Sequence, residues 1–404
     1  ILKYMIRKDI KNLTSHDDSY KWVMLMLVWL LYFCFGLTLA TIAPLTLPIM
    51  NELDISYAQM GFILGAWQLV YIFTAYPLGV IIDKLSIRKS LGIGILLIWI
   101  SLISRGLAGD FSTLLFAVVV FGFGGPIISI GAPKVISVWF KGSQRNLSAG
   151  IYATGPTIGS ALALGTAIPI ANLLGSWRGI SVIYGIIVFF SIILWLVFSK
   201  NNFSGLDDKD SISAFTTFRD LFSIRNVKII MLLAIASFFL NHGLNNWLPT
   251  LLKEKGISLT SAGVWSSISM LSGVVGLIII PAVAKYFSRV LILFGIFIIS
   301  SSSTFALIIF TDYPLYFSLI ISSIVRAPMM PLLTLLLMET KGVGSVRMGA
   351  AGGLLFTAAE IGGFAGPFIL GVIRDRSGTM DLGLILLGVF IALLVLLLPI
   401  IKEN

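Results

Sequence analysis

Charge, cysteine and histidine are all scarce in this 404-residue chain, and each scarcity removes a class of function. The single cysteine, Cys34, permits neither a disulfide framework nor a thiolate metal site. The two histidines, His16 and His242, form no HExxH-type pair, and neither a GxSxG elbow nor a phosphate-binding P-loop is present. Metallohydrolase and serine-hydrolase chemistry are therefore disfavoured, as is ATP-driven pumping by this chain alone. The chain reads as no enzyme, with no metal site and no cofactor. Only 11% of residues are charged, against roughly 25% in an ordinary soluble domain. Apolar residues take up the difference, at 57%.

Those residues fall into twelve runs, near 22–48, 57–82, 90–109, 112–138, 147–172, 179–199, 229–251, 259–284, 290–311, 315–338, 348–373 and 382–401. A helix rising about 1.5 Å per residue needs roughly 20 residues to cross a 30 Å hydrocarbon core. The runs meet that length and are far too long for barrel strands. The expected fold is an all-α integral membrane protein with twelve transmembrane helices. The first run is too long for a signal-peptide core and no small-residue cleavage pattern follows it, so it reads as a retained helix. The longest polar stretch, 200–228, includes Asn201, Asn202, Ser204, Asp207, Asp208 and Asp210 and reads as a linker with no capacity to bury itself. The expected division is a tail (1–21), a six-helix bundle (22–199), the linker (200–228), a second bundle (229–401) and a short end (402–404).

The net charge of +10 superficially suggests a nucleic-acid partner. With the N-terminus placed in the cytoplasm, 20 of the 28 Lys and Arg residues fall on inner segments and six on outer ones. Lys134 and Arg326 fall within spans. This is the positive-inside pattern, with both termini cytoplasmic in the cell membrane. The basic surplus then faces anionic lipid rather than nucleic acid.

The two halves echo each other weakly. Arg145-Asn-Leu-Ser-Ala-Gly150 opens span five, and Arg347-Met-Gly-Ala-Ala-Gly352 opens span eleven 202 residues later. Asp83-Lys84 with Arg88 follows span two, and Ala284-Lys285 with Arg289 follows span eight at nearly the same offset. Parallel six-helix repeats suggest a transporter with its site between two bundles near the bilayer midplane.

Gly79-Val-Ile-Ile-Asp83-Lys84-Leu-Ser-Ile-Arg88-Lys89 resembles the loop 2–3 signature of the major facilitator superfamily, Gly-x3-Asp-(Arg/Lys)-x-Gly-x-(Arg/Lys)-(Arg/Lys). Ser86 stands where glycine is usual, which relaxes the expected turn. The resemblance implies two pseudo-symmetric six-helix bundles and a cytoplasmic loop whose acid, Asp83, helps latch them in the outward-open state. Lys84 and Arg88 belong to that latch, and Gly79 is expected to allow close helix packing. The second-half copy has Ala284 at the acid position, so the latch is expected on one side only. Gly155-Pro156-Thr-Ile-Gly159 in span five is similar to a glycine-proline element of antiporters, and Gly362 to Pro367 in span eleven shares the pattern. The Gly-x3-Gly spacing alone equally lets helices approach closely, so antiport is not inferred. Many drug exporters of the family carry an arginine in span four where this chain has Val118. The stretch from Gly243 to Gly263, with Pro133-Lys134 and Trp139-Phe140, resembles the cyanate-permease-like branch. Nitrate porters usually carry arginines in spans two and eight. Span two here has Gln68 and span eight has none, so nitrate is disfavoured.

Charges inside spans are costly unless they face protein or water, so each is a functional candidate. Arg326 and Glu360 lie near mid-depth of spans ten and eleven, joined by a short loop. Two readings fit: a self-neutralising ion pair, or a guanidinium that binds an anion while the carboxylate takes up a proton. Arginine suits planar recognition of carboxylate-like groups. Pro328 and Pro331 remove backbone donors beside it and should break span ten. In span seven, His242 and Asn246 share one face and Asn241 and Asn245 another. His242 is a proton carrier or substrate ligand on one reading and a histidine satisfied by a neighbouring carbonyl on the other. Lys134 is a second positive group near the expected path, or snorkels to the headgroups. Tyr32, Gln68, Tyr71 and Tyr152 are candidate cavity linings with Asn245 and Asn246. Arg105 and Arg178 read as interfacial anchors.

The expected function is a secondary transporter moving a small anion by alternating access, coupled to protons as a symport and functional as a monomer. The alternatives are a drug or metabolite exporter by proton antiport and a facilitative uniporter.

Overall fold

The computed structural model describes residues 2–201, 214–284 and 286–401, with side chains described except at 2–18, 76, 80, 81, 83, 84, 214–218 and 344–346. Among the described residues there are helices and no strands. Twelve helical segments are long and apolar enough to cross a membrane. They are span one (Ser19–Leu53), two (Tyr57–Ala75, its helix continuing to Lys84), three (Ile87–Gly106), four (Phe111–Trp139), five (Ser143–Leu174) and six (Arg178–Phe198). The second half holds span seven (Arg225–Glu254), eight (Leu259–Val283), nine (Arg289–Ile309), ten (Asp312–Glu339), eleven (Arg347–Ser377) and twelve (Asp381–Ile400). The chain is a multi-pass membrane protein. Twelve crossings return the chain to the face where it began, here the terminal face; the opposite one is the far face.

The helix starts are written in the sequence as caps. Ser86 accepts the Lys89 N–H and caps span three, so the serine in the glycine position serves the next helix rather than only relaxing a turn. Ser288 caps span nine in the same way through Leu291 N–H. Ser56 with Gln59 opens span two, and Ser258 with Ser261 opens span eight. Asp110 and Thr113 form a capping box at span four. Ser56 and Ser258, like Ser86 and Ser288, are 202 residues apart, matching the Arg145–Arg347 offset.

Packing follows the same repeat. Spans one and five, two and four, three and four, and three and six pack together. Their counterparts seven and eleven, eight and ten, nine and ten, and nine and twelve do likewise. Glycines decide the tightest of these contacts. A Cβ at Gly155 or Gly159 would overlap the backbone of Trp29 or Phe33 in span one. One at Gly362 or Gly366 would overlap that of Ile235 or Phe239 in span seven. The Gly-x3-Gly elements are thus packing surfaces.

Two seams join the bundles: span two against eleven, and five against eight. Both are closed toward the far face. Gly61 and Gly65 lie against the backbone of Pro367 and Phe364, Gly371 against the Tyr57 carbonyl, and Gly263 against the Leu164 carbonyl. Toward the terminal face, a Cβ at Gly79, Gly349 or Gly353 would meet nothing within 4 Å. Gly79 makes no close helix contact in this conformation; the packing expected of it belongs to the outward-open state. Among the described residues, the backbone contacts between the bundles lie toward the far face, and the terminal-face glycines Gly79, Gly349 and Gly353 have no neighbour across the seam.

Three spans depart from plain α-helix. Span one breaks at Thr41 between helices Leu2–Ala40 and Ile42–Leu53, because Pro44 withholds the donor that would bond the Ala40 carbonyl. Span ten breaks at Ala327-Pro328 between helices Asp312–Arg326 and Met329–Glu339, as the prolines predict. Span twelve tightens into a 3-10 turn, Val395–Ile400, at Pro399. Within the expected linker, residues 202–213 lie outside the described residues. Ala214–Ser223 is helical with Leu221 fully buried, and span seven begins already at Arg225. That end of the linker tucks one side chain, Leu221, inward, while Asn202 to Asp210 lie outside the described residues.

Candidate functional site

The break in span ten leaves Arg326 as the last residue of its first helix, 3% exposed and held by side chains one turn back. Its Nε donates to Ser322 Oγ at 3.0 Å and one Nη to Ser323 Oγ at 3.5 Å. The other Nη donates to Asn241 Oδ1 of span seven at 3.2 Å. Asn241 is itself fixed, donating through Nδ2 to the Ser237 carbonyl at 2.9 Å. No carboxylate pairs with Arg326 among the described residues.

Arg326 borders a cavity of about 230 Å³ between the bundles. Asn241 and Asn245 of span seven and Ser323 of span ten line one side, with Pro156, Thr157 and Ser160 of span five on the other. The polar groups are one cation, amides and hydroxyls. Met270, Gly273, Val274 and Leu277 of span eight complete the wall, so polar groups converge beside an apolar surface, as at small-molecule sites.

Glu360 is equally buried, at 4% exposed, and its Oε2 has no hydrogen-bond partner. The expected Arg326–Glu360 pair does not form. Neighbours in sequence, spans ten and eleven diverge at depth: ten packs on eight and nine, eleven on seven and two. Glu360 instead faces the seam with span two. Glu360 Oε2, Gln68 Cγ and His242 Cδ2 converge on one spot, within 3.4 Å of where a Cβ at Gly363 would stand. Gln68 Nε2 lies 3.2 Å from His242 Nδ1, a contact between the two bundles in the membrane interior. Phe238 and Trp67 flank the imidazole, with ring centroids at 5.0 and 6.0 Å. Gln68 Oε1 and Trp67 Nε1 are buried without partners beside it.

The remaining expected residues divide. Asn245 lines the cavity, whereas Asn246 turns back to donate to the His242 carbonyl at 2.9 Å. Tyr32 stacks on Tyr152 at 5.8 Å, and Tyr71 meets Trp67 edge-on at 6.4 Å; these belong to the first bundle's aromatic wall. Lys134 is half-buried in span four and is not part of the cavity wall. Arg88 donates to the Leu196 carbonyl of span six, inside its own bundle. The side chains of Asp83 and Lys84 lie outside the described residues.

Sequence reasoning missed three features. Ser322 and Ser323, four and three residues before Arg326, were visible as helical neighbours of the charge. Asn241 was visible as a polar face but not as the partner of Arg326. Arg105 is no interfacial anchor: it is 3% exposed, donates to the Thr38 carbonyl at 2.5 Å and stands 5.3 Å from the Phe121 ring. Helical side chains point back toward the N-terminus, so an arginine at the far end of span three reaches inward. There it meets the carbonyl end of the first helix of span one. Arg178 does sit at a helix end, paired with Glu52 and donating to the Ala108 carbonyl at 2.7 Å.

Comparison with known proteins places this geometry. Residues 28–367 match the model of the Major Facilitator Superfamily. The chain is 25% identical over 361 residues to a hexuronate transporter of Bacillus subtilis, covering 84% of this chain and 85% of that one. It is 21% identical to a probable sulfoacetate transporter of Cupriavidus necator, covering 90% and 89%. With a probable nitrate transporter of Staphylococcus haemolyticus it shares 24% identity, covering 86% and 89%. The crystal structure of the nucleoside transporter NupG superposes with a TM-score of 0.78 at 16% identity, covering 94% of this chain and 99% of that one. With the family model spanning both bundles, the chain belongs to the Major Facilitator Superfamily and is a secondary transporter.

Proposed function

We propose that this protein carries a small organic anion across the cell membrane by alternating access, in symport with protons, with both termini cytoplasmic. The observation that carries the reading is the Arg326 guanidinium, buried at the cavity without a carboxylate partner. A buried cation of this kind is stabilised by an anionic ligand. The named solutes of the relatives, hexuronate, sulfoacetate and nitrate, are all anions. A single guanidinium with Asn241, Asn245, Thr157, Ser160 and Ser323 favours an anion that also offers hydroxyl or other polar atoms, which argues against nitrate.

Glu360 supplies the proton site. Its Oε2 has no protein partner, so proton uptake removes a buried charge without breaking an ion pair. Competition with Arg326 is replaced by coupling along span seven. Asn241 holds Arg326 while the next residue, His242, holds Gln68 across the seam and adjoins Glu360. A ligand that draws on Asn241 thereby disturbs the contact beside the proton site, and the reverse. Asp83 remains the proposed terminal-face latch of the opposite conformation.

Uptake into proteoliposomes tests this, using glucuronate, galacturonate, sulfoacetate and nitrate, each with and without an inward proton gradient. Gradient-driven accumulation of an organic anion that is lost in Arg326→Ala supports the reading. Equal uptake by Arg326→Ala defeats it.

A further inference from the structure

At the far face one carboxylate crosses the seam between the bundles. Asp375, near the end of span eleven, accepts the N–H of Tyr57 at 3.0 Å and of Ala58 at 2.7 Å. These are free first-turn donors of span two, since Ser56 Oγ already serves Gln59 N–H. The neighbouring residue braces the contact. Arg374 lies 4.6 Å over the Tyr57 ring and donates to Glu254 of span seven at 2.5 Å, while Glu254 also accepts the N–H of Met380, just before span twelve, at 3.3 Å. Beneath them the Tyr57 carbonyl rests on Gly371, and Tyr57 packs on Trp247 at 5.6 Å.

Among the described residues, the second seam shows no such contact. The repeat-related first turn of span eight, Leu259 and Thr260, opens instead into a polar cavity of about 730 Å³ shared with Asn172 and Ser176. Glu52 and Lys253 also line that cavity, but among the described residues no carboxylate there accepts the first-turn N–H groups of span eight. Asp375 is exposed and the Glu254 side chain partly so, which lets water replace each bond as it breaks and suits a contact that must release. A negative charge at a helix N-terminus adds a modest attraction confined to the first turn.

We propose that Asp375, braced by the Arg374–Glu254 pair, is the far-face latch of the transport cycle. It holds span two against span eleven while the far face is shut and lets go when that face opens. The two antiparallel helices would then latch reciprocally, each through a carboxylate near its own C-terminal end: Asp375 on the far face and Asp83 on the terminal face. The inference rests on the alternating-access reading.

Spin-label distances in lipid nanodiscs test it in a Cys34→Ala background. One pair, at Leu173 and Tyr313, reads the far face; another, at Lys141 and Lys341, reads the terminal face. All four side chains are exposed. Asp375→Asn should raise the far-face-open fraction about tenfold, with a matching rise of short terminal-face distances. Asp375→Glu should behave as the unaltered protein. If Asp375→Asn does not fold, Glu254→Gln must move both pairs in the same directions. Gly371→Trp, which wedges the seam mechanically, separates the two ideas. If it opens the far face and neither charge variant does, the latch is wrong. If it too leaves both pairs unmoved, the far face does not open and alternating access fails with it. Broadening of both pairs together would mark Asp375 as merely structural and overturn the latch.

Discussion

At the residue scale, the proposed function rests on two buried ionisable side chains that do not meet. Arg326 is held on three sides by Ser322, Ser323 and Asn241, so its orientation is fixed before any ligand arrives. Preorganisation of this kind lowers the ordering cost of binding. Removing a charge-assisted contact of about 2 kcal/mol lowers affinity roughly 30-fold. Arg326→Ala should therefore weaken anion binding at least about 30-fold by equilibrium binding. Arg326→Lys, which keeps the charge and loses the planar fork, should fall between. Asn241→Ala should also weaken it, by freeing one Nη. Glu360→Gln is expected to leave anion exchange intact while abolishing accumulation driven by a proton gradient; a gradient-driven Glu360→Gln protein would place the proton elsewhere. Composition and depth made both charges legible. Their separation was not, because sequence adjacency of spans ten and eleven says nothing of which face each turns inward.

At the scale of elements, glycine and proline decide what the helices do. Pro328 and Pro331 made the break in span ten readable, since a missing donor acts locally. The break in span one was not read, although Pro44 carries the same signal, because the apolar run continues through it. Gly-x3-Gly was readable as small residues at helical spacing, but not which helix it serves. Spans one and five, and seven and eleven, are that answer. A side chain at Gly366 collides with backbone rather than with a rotamer that can turn away. Overpacking of this kind costs about 1–3 kcal/mol or more. Gly366→Val should lower the thermal midpoint in detergent. Gly79→Val, facing open space, should leave it within error of the unaltered protein.

At the scale of the whole molecule, the repeat was weaker in the apolar runs than in the polar positions between them. Lipid-facing residues are interchangeable within broad limits, so hydrophobic stretches lose register. Caps cannot, because a helix start needs its donor satisfied at one position. Ser56 with Ser258 and Ser86 with Ser288 keep the 202-residue offset for that reason, and comparing turn residues alone would have exposed it. The same turns carry the charge asymmetry that orients the chain. Twelve crossings put 200–201 and both chain ends on one face, and the basic residues gather there. Each Lys or Arg retained on the cytoplasmic side is favoured by anionic lipid by about 1 kcal/mol, so the 20-to-6 split is a strong directional bias. Leu173 stands on the far face and Lys341 on the terminal face, both exposed, while the native Cys34 is buried and silent. In intact cells, a membrane-impermeant maleimide should label Leu173→Cys at once and Lys341→Cys only after permeabilisation. Labelling in the reverse order would invert the topology and exchange the places of the two latches.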